Sequence, residues 1–154
     1  MDTVRRHRLW FCGTVIILNL AFIWGNSLMP GHISAAISGF ARRLLSGLFS
    51  GEMPEGVPAG EGILRKIAHI LEFCSLGFVC SAFLRLLQKK YLFSLGFGFL
   101  VGCIDECIQL FIPERGPHIR DVLIDTLGVI AGIGVFTIAL LIRKRKLILE
   151  DNTL

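Results

Sequence analysis

Residues 98–132 read G-F-L-V-G-C-I-D-E-C-I-Q-L-F-I-P-E-R-G-P-H-I-R-D-V-L-I-D-T-L-G-V-I-A-G. Two apolar runs carry acids within them, and a short Pro/Gly elbow rich in Arg and His joins them. Acids inside an apolar run are expensive in lipid, so they seldom sit there without a role. At about 100° per residue, Gly98, Gly102, Asp105 and Gln109 share one stripe of a helix. Asp121, Asp125, Gly128 and Gly132 share one stripe of the next. Small residues spaced by four let helix backbones approach closely in a membrane. The stretch therefore predicts an antiparallel helical hairpin in which the glycine pairs meet at one depth and the acids at another, with a polar pocket near the elbow.

Working outward, the composition sets the class. Of 154 residues, 53% are hydrophobic and 18% charged, with a mean hydropathy of +0.68. Soluble domains carry about 25% charged residues, so this is a polytopic membrane protein rather than a soluble domain. The fold class expected is all-α, with four transmembrane helices plus a short interfacial amphipathic helix, forming one domain over 1–154. The net charge of +4 does not point to nucleic acid, because the basic residues sit at the ends of apolar runs. Cys12, Cys74, Cys80, Cys103 and Cys107 all lie within those runs and show no C-x-x-C spacing, which reads as small hydrophobes in a bilayer.

The first span is placed at about 9–28, behind the basic head Arg5, Arg6, His7 and Arg8. It lacks a clear small-x-small cleavage site and is read as a retained helix rather than a secretory signal. Asn19 and Asn26, seven apart, are assigned to helix–helix hydrogen bonding. After Pro30 and Gly31, residues 34–50 place Ile37, Phe40, Ala41, Leu44, Leu45 and Leu48 on one helical face with Arg42 and Arg43 mostly opposite, as in a helix lying in the interface. Gly51 to Gly62 reads as a Gly/Pro/Glu loop. The remaining spans are placed at about 64–87, 91–112 and 122–142, with Arg143, Lys144, Arg145 and Lys146 stopping the last.

Even-numbered spans put both termini on one side. With that side cytoplasmic, ten Lys and Arg lie inside and six outside, in keeping with the positive-inside tendency. Nine of the twelve acids then fall outside or in the outer halves of spans. Arg65, Lys66, His69 and Glu72 of the second span, Asp105, Glu106 and Gln109 of the third, Arg115, His118 and Arg120 of the elbow, and Asp121 and Asp125 of the fourth thus reach one level at the non-cytoplasmic face.

Two readings of this constellation stand side by side. It is a structural ion-pair network, since charges in a membrane normally pair, or it is a site for a charged headgroup. In the second, Arg65, Lys66, Arg115 and Arg120 bind an anion such as phosphate through planar forks and ammonium donors. His69, Glu72, Asp105 and Glu106 are the candidates for acid–base chemistry, and whether any reaction occurs is left open. Ser27, Gln109, Asp121 and Asp125 complete the polar pocket. Gly98, Gly102, Gly128 and Gly132 serve helix packing. Glu72, Asp105, Asp121 and Asp125 have the oxygen donors a hard divalent cation prefers. No tight ligand spacing of the H-E-x-x-H kind is present, so neither a metal nor a cofactor is assigned.

The segments R-K-I-A-H-I-L-E-F at 65–73, D-E-C-I-Q-L-F-I-P-E-R at 105–115 and D-V-L-I-D-T-L-G-V-I-A-G at 121–132 together resemble the VanZ-like membrane proteins. The family pattern K-x-x-H-x-x-E-[FY] falls on Lys66, His69, Glu72 and Phe73. D-E-x-x-Q falls on Asp105, Glu106 and Gln109, and D-x-x-x-[ND]-x-x-G-x-x-x-G on Asp121, Asp125, Gly128 and Gly132. Ser27 is similar to the serine that ends the family's first span. The family's P-G-R elbow is matched at Pro113 and Arg115, with Glu114 in place of glycine. The resemblance implies a bacterial plasma-membrane protein of four spans, from a family associated with resistance to the glycopeptide teicoplanin. The resemblance supplies no reaction; the ligand expected from the charged residues is a membrane lipid or a lipid-linked cell-wall precursor, bound or modified at its phosphate headgroup on the outer leaflet. The alternative is a non-enzymatic membrane protein acting through helix contacts with an envelope protein partner.

Overall fold

Apolar runs of this length bury their backbone hydrogen bonds by forming helices, the only open-chain structure stable in lipid. A computed structural model describes residues 3–49 and 59–151 and is all-α, with no strand among the described residues. Helix α1 spans Thr3–Ser27, α2 Gly31–Phe49, α3 Ala59–Leu86, α4 Leu92–Gln109 and α5 Ile119–Asp151. Four of them, α1, α3 over Leu64–Leu86, α4 and α5, are long and apolar enough to cross a membrane. The protein is a multi-pass membrane protein.

Several boundaries differ from those expected. The loop placed at 51–62 lies outside the described residues as far as Pro58, and from Ala59 the chain is already helical. Helix α4 ends at Gln109, three residues early, because Leu110 to Ile112 curl into the turn that precedes Pro113. The basic cluster Arg143–Lys146 ends the apolar run but not α5, which continues to Asp151. Lys and Arg leave the bilayer without breaking a helix, since both are good helix formers.

The principal pairing is α3 against α5, with α1 packed on α3 and α4 on α5. Glycine explains the closeness. An ideal Cβ on Gly128 would stand 2.7 Å from the Ile70 carbonyl oxygen, and one on Gly132 would overlap the Cys74 carbonyl and lie 2.8 Å from Phe78 N. The glycine pairs of the hairpin therefore do not meet each other. Gly128 and Gly132 admit the α3 backbone, while Gly98 of α4 receives the Val129 side chain and Gly102 faces Asp125. Gly77 of α3, absent from the expected packing set, admits the Val129 backbone from the other side. Val129 is thus wedged between α3 and α4, fully buried with Ile23, Phe73 and Leu76 in the core.

Polar locks reinforce the packing. Ser81 Oγ donates to the Gly77 carbonyl at 2.8 Å and lies 3.3 Å from Ser94 Oγ, joining α3 to α4. Ser75 donates to Asn19 Oδ1, joining α3 to α1. At the end of the bundle that holds the N-terminus, Arg5 Nη2 donates to the Leu86 carbonyl at 2.6 Å, placing a cation at the negative end of α3. On α2, Ile33, Ile37, Phe40 and Leu44 form an exposed apolar stripe, the face an interfacial helix turns to lipid.

Candidate functional site

The opposite end of the bundle collects the polar residues. It is built from the last turn of α1, the first turns of α3 and α5, the last turns of α4 and the elbow. The elbow is shaped locally by three contacts. Glu114 adopts a left-handed backbone at φ 65°, the conformation that glycine takes most readily. Its carboxylate accepts from His32 N at 2.9 Å and faces His32 Nδ1 at 3.3 Å, while Gly31 N donates to the Pro113 carbonyl at 3.4 Å. The elbow is thereby tied to the start of α2. Glu106, buried in α4, accepts from His118 N at 2.7 Å and so caps the start of α5. That contact gives Glu106 a structural duty, because orphan N–H groups at a helix start need acceptors.

Two polar clusters result. The outer one is a cavity of about 200 Å³ between α1, α2, α3 and the elbow. Arg65, His69 and Glu72, one stripe of α3, line it together with Arg115. Asn26 donates to Glu72 Oε1 at 2.7 Å. Ser34 and Ser38 of α2 add hydroxyls, and Met29, Ile37, Leu64 and Ala68 make the apolar wall. Arg115 Nη1 makes a long contact of 3.4 Å to the Ser27 carbonyl, and its buried Nε has no partner. Burial and the neighbouring Arg65 guanidinium hold Arg115 below its ordinary pKa. Among the described residues neither Arg65 nor Arg115 has a carboxylate within 4.0 Å.

The inner cluster is buried. Gln109 Nε2 donates to Asp105 Oδ2 at 2.8 Å and reaches Ser27 Oγ at 3.4 Å. His69 Nδ1 stands 3.5 Å from Asp125 Oδ1. One ligand atom from each of His69, Asp105 and Asp125 lies within 4.8 Å of the others. Of the four carboxylates with cation-binding chemistry, Asp105 and Asp125 thus come together with His69, whereas Glu72 and Asp121 stay outside the group. His69 belongs to both clusters, lining the outer cavity while it faces Asp125.

The remaining candidates are dispersed. Lys66 and the half-buried Asp121 line a small cleft beside His69 rather than the main cavity. Arg120 is exposed and lines neither space. Asn26, Ser34 and Ser38 were not among the expected pocket residues. The i, i+4 spacing of the two serines, and the position of Asn26 one residue before Ser27, were the signals available.

Four helices long and apolar enough to cross a membrane, with polar side chains gathered at one end, define a small helical membrane protein. The VanZ/LLP1 family model matches residues 9–141, and the chain belongs to that family. Comparison with curated proteins and with solved structures gave no match.

Proposed function

We propose that the protein binds the phosphate of a membrane lipid or lipid-linked cell-wall precursor in the outer cavity, at the outer leaflet of the bacterial plasma membrane. The observation that carries this is the pair Arg65 and Arg115. Two guanidinium groups face one cavity, the Nε donor of Arg115 is buried and unmatched, and neither has an acidic partner among the described residues. The two like charges repel one another, Glu72 of the same lining stands beyond 4.0 Å of either, and the planar forks suit phosphate oxygens. A volume of about 200 Å³ accepts a phosphate and its first linked atoms but falls short of the roughly 300–1,000 Å³ of drug-sized pockets. The lipid-proximal phosphate, rather than a sugar or peptide, is therefore the part held. Asn26, Ser34 and Ser38 add neutral hydrogen bonds, and the Met29–Ile37–Leu64 wall takes the start of an acyl or prenyl chain.

The basic end of the bundle, with Arg5, Arg8, Arg85 and Arg143, supports cytoplasmic termini and so an outward-facing cavity. Family membership links the protein to glycopeptide resistance, which follows if a held precursor becomes less accessible to the antibiotic. The test is native mass spectrometry of protein released from membranes in mild detergent. The wild type retains a phosphate-bearing lipid, and Arg65→Gln and Arg115→Gln each lose it. Retention of the same lipid by all three proteins would end the proposal.

A further inference from the structure

Two aspartates from separate spans sit in the interior of the bundle with oxygens that nothing satisfies. Asp105 is 0% exposed and Asp125 1% exposed. Asp105 Oδ1 and both carboxylate oxygens of Asp125 lack a hydrogen-bond partner. Leaving a buried acceptor unmade costs about 1–3 kcal/mol, and more for a charge. No Lys or Arg reaches either carboxylate within 4.0 Å among the described residues. The nearest cationic group is His69, whose single extra proton would offset only one of two negative charges, while Arg115 acts on Asp105 from beyond 4.0 Å.

A divalent ion held by one atom from each of His69, Asp105 and Asp125 would compensate both buried carboxylates. With a neutral imidazole, its two charges match those of the two carboxylates. Zinc bonds of about 2.0–2.2 Å to N and O place adjacent ligand atoms roughly 3.5 Å apart in a tetrahedral site. His69 Nδ1 and Asp125 Oδ1 already stand at 3.5 Å, and the whole set lies within 4.8 Å. Bringing in the widest pair takes a shift of about an ångström, within reach of side-chain rotation. A cleft of about 10 Å³, lined also by Arg65 and Lys66, opens beside His69, Gln109 and Asp125, about the room of one water. One imidazole with two carboxylates suits a first-row transition ion, whereas Mg²⁺ and Ca²⁺ favour oxygen-only sets.

We infer that His69, Asp105 and Asp125 form a site for one divalent transition-metal ion, Zn²⁺ or Mn²⁺, stapling α3, α4 and α5 beneath the outer cavity. The inference does not rest on the phosphate reading, since it requires neither Arg65 nor Arg115.

The full chain is purified in mild detergent, stripped with EDTA and dialysed against Zn²⁺ or Mn²⁺. Metal content and unfolding temperature are then measured. The wild type takes up one ion per chain, and its unfolding temperature rises with metal concentration, since a ligand that binds only the folded state stabilises it. Asp125→Asn and His69→Ala weaken binding at least about 100-fold, as expected for loss of a direct ligand where outer-shell losses already cost 10–100-fold. Glu114→Gln, on the elbow, loads fully. Misfolding is separated by the metal-free proteins. Stripped Asp125→Asn is at least as stable as stripped wild type, because without metal His69 offsets only one of the two buried carboxylates and the change removes the excess charge. Uptake below about 0.1 ion per chain by the wild type with both metals would overturn the site, as would unchanged affinity in Asp125→Asn or a stripped Asp125→Asn less stable than stripped wild type.

Discussion

Gly132 and Gly134 lie two residues apart on α5 and should respond to alanine with opposite signs. An ideal Cβ on Gly132 overlaps the Cys74 carbonyl oxygen and stands 2.8 Å from Phe78 N and 2.9 Å from Cys74 C. All three atoms belong to the α3 backbone, so no side chain can swing aside. Clearing the Cys74 oxygen, the nearest of them, to an ordinary separation of about 3.5 Å requires α5 to back away from α3 by more than about an ångström. Overpacking of this kind costs about 1–3 kcal/mol, and the retreat also loosens Gly128 and Val129, which favours the upper end. A Cβ on Gly134 meets nothing within 4 Å. There alanine gains up to about 1 kcal/mol of helix propensity. The two variants should differ by about 3–4 kcal/mol, more than 100-fold in the unfolding equilibrium. Steric-trap or thermal unfolding in bicelles measures the difference. If Gly132→Ala falls within about 0.5 kcal/mol of Gly134→Ala, the close α3–α5 approach is refuted.

Three further outcomes are expected. Glu114→Gly should stabilise the elbow by about 1 kcal/mol, because a non-glycine residue at φ 65° costs about 1–2 kcal/mol while the exposed His32 contact returns less; a lower unfolding temperature would contradict it. In a background without native cysteines, Gly116→Cys should react with an impermeant maleimide from outside intact cells and Lys89→Cys should not; the reverse pattern would invert the topology. Where the protein confers teicoplanin tolerance, Arg65→Gln and Arg115→Gln should abolish it at unchanged membrane levels; full tolerance in both would separate the cavity from resistance.

The spans and the α3 stripe were legible because they depend only on local chemistry. Apolar runs bounded by basic residues give spans, and a 3.6-residue period puts Arg65, His69 and Glu72 on one face. What periodicity does not contain is the neighbour that a face meets. Gly128 and Gly132 were correctly grouped on one side of α5, but their partner is the α3 backbone rather than Gly98 and Gly102. Gly77 escaped notice because a lone glycine forms no repeat. The separation of the acids was hidden for the same reason. Glu72 is held by Asn26 in the outer cavity, Glu106 caps α5, and Asp105 and Asp125 join His69 inside. Those roles depend on depth and rotation between helices, which spacing along one helix does not record. Helix α5 runs beyond the expected span to Asp151, because charge marks the edge of lipid and not the end of a helix.

The most direct test of the anion cavity is a titration of the protein in nanodiscs with a short-chain polyprenyl phosphate and with the matching polyprenol. Hydrogen bonds to charged groups contribute about 1.5–3 kcal/mol, so the phosphate should bind wild type at least tenfold more tightly than the alcohol. The Arg65→Gln/Arg115→Gln double variant should bind the two alike. Equal binding of phosphate and alcohol by the wild type, or an undiminished phosphate preference in the double variant, would contradict the account.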